Sequence, residues 1–468
     1  MIAIVAFALL LVQDDVPEWG GFRGNNGCGV ASSKAIPESL DPEETALWRV
    51  EVPSGYSSPI VAGERVFLTG VDGEKLITLG LDRHSGDELW RREIDFDGRK
   101  VGMNSSATPS PVTDGERVYV LFQAFGLAAY DVKGNELWQQ KIGPFDIPHG
   151  MATSPVLHGD VLVQVVDQDS GSYVAAYDKL TGKERWKVER QGVTHSYATP
   201  AIYAPKEGPA QVIVSGALQI KSYSVADGKL LWWVDGSAWQ SKCVPVVVGD
   251  RCFVNAYMPS SSEIGLPSLQ SSFADELAER DTDEDGQIGR DEWAGDMIQQ
   301  VWFIFDLDGD EELGEADWEF MKAAGRSVGG LFSIDLTGEG DVTESHVEWR
   351  FGDRRGLPDC PTPLVMDGLL YVVKEGGLFT AIDAGSGEMV KQERIGSSDD
   401  YYASPVAGAG RIVTASLGGQ LSVIEAGRAW RVLSVSDLEE KVWSTPAIAD
   451  GQVFVRSQEA LWCFASVE

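Results

Sequence analysis

Basic residues are scarce in this chain. Its 468 residues include 38 lysines and arginines against 72 aspartates and glutamates, a formal net charge of −34. A field of that sign repels the phosphates of nucleic acid and of anionic lipid, and it favours cations and basic partners. Cysteine is also scarce. Five are present, Cys28, Cys243, Cys252, Cys360 and Cys463. An odd number leaves at least one without a partner in the chain, and the spacing matches no zinc pattern. Buried thiols are expected, not a disulfide framework. Beyond the N-terminus no apolar run is long enough for a membrane-spanning helix, which needs about 20 residues. The early run, IAIVAFALLLV at residues 2–12, is too short to span. It fits the apolar core of a signal peptide, although no Lys or Arg precedes it. Residues 1–13 are therefore expected to direct export to the periplasm or the extracellular space, with 14–46 as an N-terminal extension. Asn25, Asn26 and Gly27 ahead of Cys28 make a poor lipidation site, so no lipid anchor is expected. No Ser/His/Asp set, phosphate-cradling glycine loop or nucleic-acid patch stands out.

What the chain has in quantity is a repeat. Each unit opens with a Ser or Thr before Pro, followed by two apolar strands around a Gly turn. A third strand ends in Asp, a second Gly turn follows, and a fourth strand contains Trp. The opening prolines are Pro59, Pro111, Pro155, Pro200, Pro245, Pro363, Pro405 and Pro446. Most neighbours are about 41 to 52 residues apart, the period of a four-stranded blade. Pro245 to Pro363 is too long and must hold an insertion. The second half of the unit recurs as LGLDRHSGDELW to Trp90, AAYDVKGNELW to Trp138, AAYDKLTGKERW to Trp186 and SYSVADGKLLW to Trp232, with looser copies later. These Trp side chains read most simply as packing between blades. The last copy supplies three strands and stops. The missing fourth is LWRV, Leu47 to Val50, so one blade is built from both chain ends. Closure of this kind removes exposed sheet edges. The expected fold is all-β: an eight-bladed β-propeller over 47–257 and 330–465.

These motifs resemble the PQQ-like propeller repeats of quinoprotein alcohol dehydrogenases and of the propeller lipoprotein of the outer-membrane β-barrel assembly machinery. The AxDxxTGxxxW signature is clearest from Ala176 to Trp186. The resemblance covers residues 47 to 465 apart from the insertion, and it is specific for fold, not for function. The segment WGGFRGNNGCGV, Trp19 to Val30, is similar to the lead-in of many exported propellers of this kind.

The insertion, 258–329, opens on a Pro/Ser/Gly-rich linker in the fifth blade. It then reads DTDEDGQIGRDE from Asp281 to Glu292. Asp281, Asp283 and Asp285 place carboxylates at loop positions one, three and five. Gly286 allows the sharp turn at six, Gln287 offers a carbonyl at seven, and Glu292 can bind through both oxygens at twelve. That is the EF-hand calcium pattern, which wraps about seven oxygens around one ion. A second loop, DLDGDEELGEAD, offers Asp306, Asp308, Asp310, the Glu312 carbonyl and Asp317. It departs at two positions. Glu311 replaces the glycine, and Asp317 replaces the last Glu with a shorter arm. Trp302, Phe303, Phe305, Trp318 and Phe320 are expected to form the module's small core. Only about 13 residues separate the loops, so a shared helix would hold them apart unless Gly295 broke it.

Loops between second and third strands share a face with the residues that enter each inner strand. The insertion should therefore lie beside the channel mouth, lined by Tyr56, Asn104, His149, His195, Tyr197, Lys242, Asp359, Tyr401 and Trp443. Mixed aromatic and polar groups at a concave mouth suit a ligand. Three functions stay open. The first is a calcium-binding platform for a protein, peptide or glycan partner. The second, implied by the resemblance, is a PQQ-dependent dehydrogenase with its quinone in the channel. No two cysteines are adjacent here, which departs from many such enzymes. The third, also implied by resemblance, is a scaffold for outer-membrane protein assembly. Binding without catalysis is the preferred expectation.

Overall fold

The computed structural model describes residues 17–99, 101–256, 271–293, 299, 302–327, 329–353 and 355–466. The predicted signal peptide, residues 258–270 with the whole of the linker, and Gly295 lie outside them. Eight antiparallel four-stranded sheets follow one another, one of them extended by a short fifth strand. Each is a blade whose first strand lies innermost. The eighth blade is composite. Ala447–Ala449, Gln452–Arg456 and Ala460–Phe464 come from the C-terminus, and Ala46–Glu51 from the start of the chain completes the sheet. Trp48 faces Cys463 and Val50 faces Leu461. The ring closes as the pattern predicted. The five cysteines are free thiols, and Cys243, Cys252 and Cys463 are buried.

The Ser/Thr–Pro signature has a direct structural cause. The residue before each proline donates its N–H to the hydroxyl of its counterpart in the next blade. Ser58 donates to Ser110 (2.8 Å), Ser110 to Ser154 (2.9 Å) and Ser154 to Thr199 (2.9 Å). Val244 donates to Thr362, Thr362 to Ser404 and Ser404 to Thr445, each at 3.0 Å. Thr445 returns to Ser58 at 2.9 Å. The hydroxyl ring has its gap at Val244, which has no oxygen to offer Thr199. Proline then holds each preceding residue extended, so that hydroxyl and N–H face neighbouring blades. Ser110→Ala should orphan the buried Ser58 N–H and cost about 1–3 kcal/mol. A denaturant midpoint equal to that of the parent protein would show that the ring adds nothing.

The Trp signature joins the outer strands. Trp90 donates its indole N–H to Val132 O (3.0 Å), Trp138 to Lys179 O (3.0 Å), Trp186 to Val225 O (2.9 Å) and Trp349 to Ala384 O (3.2 Å). Each ring lies against the turn glycine of the next blade, at Gly134, Gly182, Gly228 and Gly387. Trp232 departs from the rule. The fifth blade has a longer turn there, and Gly340–Asp341 adds in parallel beside Trp232 and Trp233. The Trp232 indole bonds instead to Gln211 Oε1 within its own blade (2.8 Å).

The N-terminal segment crosses one end of the channel. Trp19 pairs with Val61 of the first blade, and Gly20 O accepts from Thr113 N of the second (2.8 Å). The Asn26 amide bonds both N and O of Ile202 in the fourth (2.7 Å each). The fully buried Arg23 donates to Pro363 O (3.0 Å) and Pro405 O (3.2 Å) of the sixth and seventh. Burial lowers the Arg23 pKa to about 10. Ala31 N then bonds Ala407 O (2.7 Å). The lead-in is thus a plug at the end of the channel where the inner strands leave.

Candidate functional site

The other end is open. A cavity of about 280 Å³ lies where the inner strands begin, and all eight blades contribute to its wall. Of the nine residues expected at the mouth, Tyr56, Asn104, His149, Tyr197, Lys242, Asp359 and Trp443 line it. Two do not. Tyr401 is 2 % exposed and packs among Leu364, Tyr371 and Ile395, while its neighbour Tyr402 takes the place on the wall. Successive side chains of an extended segment point to opposite sides, so a one-residue error inverts the assignment. His195 is buried, and its Nδ1 is bonded to Asp169 Oδ1, which draws it into the seam between the third and fourth blades. His149 and His195 flank the Tyr197 ring, at 6.2 Å and 5.9 Å between centroids. The structure also adds Met103, Gln240, Cys360 and Phe22, the last rising from the plug to the cavity floor.

The wall is divided by chemistry. Tyr56 and Trp443 stack at 4.9 Å between centroids, and Tyr402 meets Trp443 at 4.8 Å, giving an aromatic cluster drawn from three blades. Opposed to it in character, Lys242 Nζ sits 2.6 Å from Asp359 Oδ2. Lys242 is raised above the ordinary lysine range: burial lowers it, but the Asp359 carboxylate beside it outweighs that. Burial, aided by His195 and Lys242, holds His149 below the ordinary histidine value and favours its neutral form. The Cys360 thiol is pushed up by burial and is therefore a poor nucleophile at neutral pH. A quinone bearing several carboxylates fits this wall badly. Among the described lining residues the one ammonium is already paired, and no guanidinium is present.

The insertion leaves the fifth blade between Arg251–Ala256 and Gly330–Asp335, whose ends stay paired through Ala256 and Gly330. Helix α1 (Phe273–Arg280) enters the first loop, a short helical turn at Trp302–Phe305 precedes the second, and α2 (Glu315–Arg326) leaves it. Ser272 caps α1 in a reciprocal box with Asp275. The two loops lie side by side, because Ile288 pairs with Leu313 and Gly289 with Glu312. They share one backbone form. Positions four and six are left-handed in both, at Glu284 and Gly286 (φ 62° and 92°) and at Gly309 and Glu311 (φ 73° and 69°). Glu311 therefore does what the missing glycine would do, at a cost of about 1–2 kcal/mol.

The carboxylates converge. Asp281, Asp283 and Asp285 each bring an oxygen within 4.8 Å of the others, and so do Asp306, Asp308 and Asp310. Glu292 accepts from Thr282 N (2.5 Å) and Gly289 N (2.8 Å). Asp317 accepts from the equivalent Leu307 N (2.9 Å) and Gly314 N (2.8 Å), so its shorter arm reaches the same groups. Gln287 and Glu312 occupy position seven of their loops, and the Gln287 amide donates to the Glu312 carboxylate at 2.7 Å. Backbone N–H groups, led by Gly289, hold Glu292 down to about 2. Asp283, Asp308 and Asp317 are pushed up by desolvation, with neighbouring carboxylates adding to it. Trp302, Phe305, Trp318 and Phe320 are buried as expected, and the Phe303 side chain lies outside the described residues. This small core is continuous with Val193, Ala217 and Leu218 of the fourth blade, and Trp239 packs against it. Trp239 adjoins Gln240 on the cavity wall, which puts the acidic loops beside the open mouth.

A family model described as outer membrane protein assembly factor BamB matches residues 40–168 and 170–265. The chain is a propeller of PQQ-like repeats. This PQQ-like propeller is 29 % identical over 98 residues to outer membrane protein assembly factor BamB of Yersinia pestis, a match covering 21 % of this chain and 24 % of that relative. The crystal structure of BamB from Moraxella catarrhalis superposes with a TM-score of 0.56 at 11 % identity, over 90 % of this chain and 99 % of the other. A europium-containing methanol dehydrogenase superposes with a TM-score of 0.62 at 11 % identity, over 96 % and 98 %. Identities this low establish the shared fold alone. No helix among the described residues of the PQQ-like propeller is long and apolar enough to cross a membrane.

Proposed function

We propose that this propeller is an exported binding platform whose open face holds a partner beside a calcium-loaded EF-hand pair. The observation that carries the reading is the seating of the acidic loops. Their core is shared with the fourth blade and reaches the mouth through Trp239. The opposite end is plugged, so this face is where a ligand can enter the channel. Clustered carboxylates repel one another, and a hard divalent cation would relieve that repulsion and order the segment. Export rests on the apolar run at residues 2–12.

Calorimetry on the full chain should register Ca²⁺ uptake, and Asp281→Ala should weaken the first site by about 100-fold or more. Limited proteolysis of the insertion should slow when Ca²⁺ is added. Absence of heat together with equal cutting rates would end the reading. A role in outer-membrane assembly comes by likeness to the relatives named above, and it predicts an envelope protein as partner. The dehydrogenase reading is disfavoured by the cavity wall. Robust dye reduction after reconstitution with PQQ and Ca²⁺ would reverse that preference.

A further inference from the structure

We infer that the open cavity is a carbohydrate site, taking one or two rings of a neutral sugar end-on. This rests on the platform reading above and names the ligand of its mouth. An anionic ligand would find its one ammonium, Lys242, already matched by Asp359 at 2.6 Å. It would also meet the field of a chain with net charge −34. A cation would find that same carboxylate neutralised. A wholly apolar ligand would strip water from Lys242, Asp359 and Gln240 and give them no hydrogen bonds in return. What fits is uncharged, flat and apolar on one side, and rich in hydroxyls on the other.

A pyranose has that form. Its C–H face can lie against the aromatic cluster of Tyr56, Trp443 and Tyr402, where aromatic area supplies contact at little entropic cost. An ammonium and a carboxylate 2.6 Å apart present a donor and an acceptor side by side. A vicinal diol presents the complementary acceptor and donor at similar spacing. The cavity of about 280 Å³ admits one ring or two, not a long segment. Phe22 of the plug stops deeper entry, so the terminus of a longer glycan would be read.

The test uses the full chain with glucose, galactose, mannose, N-acetylglucosamine, maltose and cellobiose. Saturation-transfer NMR identifies binders, and calorimetry measures them. At least one sugar should bind saturably, with Trp443→Ala and Lys242→Met each raising its Kd about tenfold or more. Trp443→Phe, which keeps an aromatic surface, should retain most of the affinity and guards against a folding defect in the alanine variant. Saturable binding by none of the six, or binding indifferent to all three substitutions, would overturn the assignment. Ca²⁺ uptake is measured on the same samples. Intact uptake without sugar binding sinks the sugar site alone, whereas sugar binding without uptake sinks the calcium platform and leaves the cavity assignment standing.

Discussion

Trp138→Ala should lower unfolding free energy by about 3–5 kcal/mol, the range expected when a buried aromatic ring is truncated. The side chain is 8 % exposed and fills the seam between the second and third blades. Its loss would open a cavity against Gly182 and leave Lys179 O without the indole donor. The same seam can be attacked from its other wall. Gly182 has φ 70°, and a Cβ there would stand 2.6 Å from Trp138 Cε3. Gly182→Val combines left-handed strain of about 1–2 kcal/mol with overpacking of about 1–3 kcal/mol. The two changes share one contact, so the double variant should lose less than the sum of the single losses. Denaturant midpoints with slopes compared across the four proteins check this. Full additivity would show that ring and glycine do not depend on each other.

Asp167→Ala should be comparably damaging, at about 3–5 kcal/mol, because it strands a buried cation. Arg190 and Asp167 have side chains 1 % and 0 % exposed. Arg190 Nε meets Asp167 Oδ1 at 2.7 Å, and its Nη1 donates to Tyr223 OH at 2.9 Å. Ser196 Oγ adds a donor to Asp167 Oδ2 at 2.5 Å. Burial lowers the Arg190 pKa, but Asp167 and Tyr223 outweigh it and raise the group above its ordinary value, which keeps the guanidinium charged. Removing the carboxylate leaves that charge in a low-dielectric seam with a hydroxyl as its remaining partner. Asp167→Leu combined with Arg190→Met should recover most of the loss, since apolar replacement of both partners removes the desolvation cost. A double variant as unstable as Asp167→Ala would show that packing, not charge, sets the effect.

Much of the architecture was legible because it repeats. Ser or Thr before Pro marks the inner-strand entry, and the Gly-to-Trp spacing marks a turn docked on the preceding blade. Each motif encodes a contact made again in the next unit, so several copies expose it. The closing strand was legible as an absence, three strands at one end and a lone fourth at the other. The first acidic loop was equally readable, since its ligands lie within twelve consecutive residues. The shorter carboxylate of Asp317 reaches Leu307 N and Gly314 N because local backbone geometry brings it there, which the residue type alone does not tell. The mouth was harder. Tyr401 and Tyr402 are indistinguishable in composition, and only the direction of the inner strand chooses between them. His195 was expected at the mouth, but Asp169, 26 residues earlier, takes its ring.

By itself the sequence determined the blade count, the point of ring closure, the place of the insertion and the calcium-type spacing. These follow from short-range rules of turn, alternation and ligand order. The tertiary structure alone decided that Trp19 to Val30 plugs the channel, that the acidic module rests on the fourth blade, and which side chains share the mouth. Those outcomes depend on residues hundreds of positions apart, such as Arg23 with Pro405 or Tyr56 with Trp443. No local propensity records them, because the partners become neighbours only when eight sheets close around one axis.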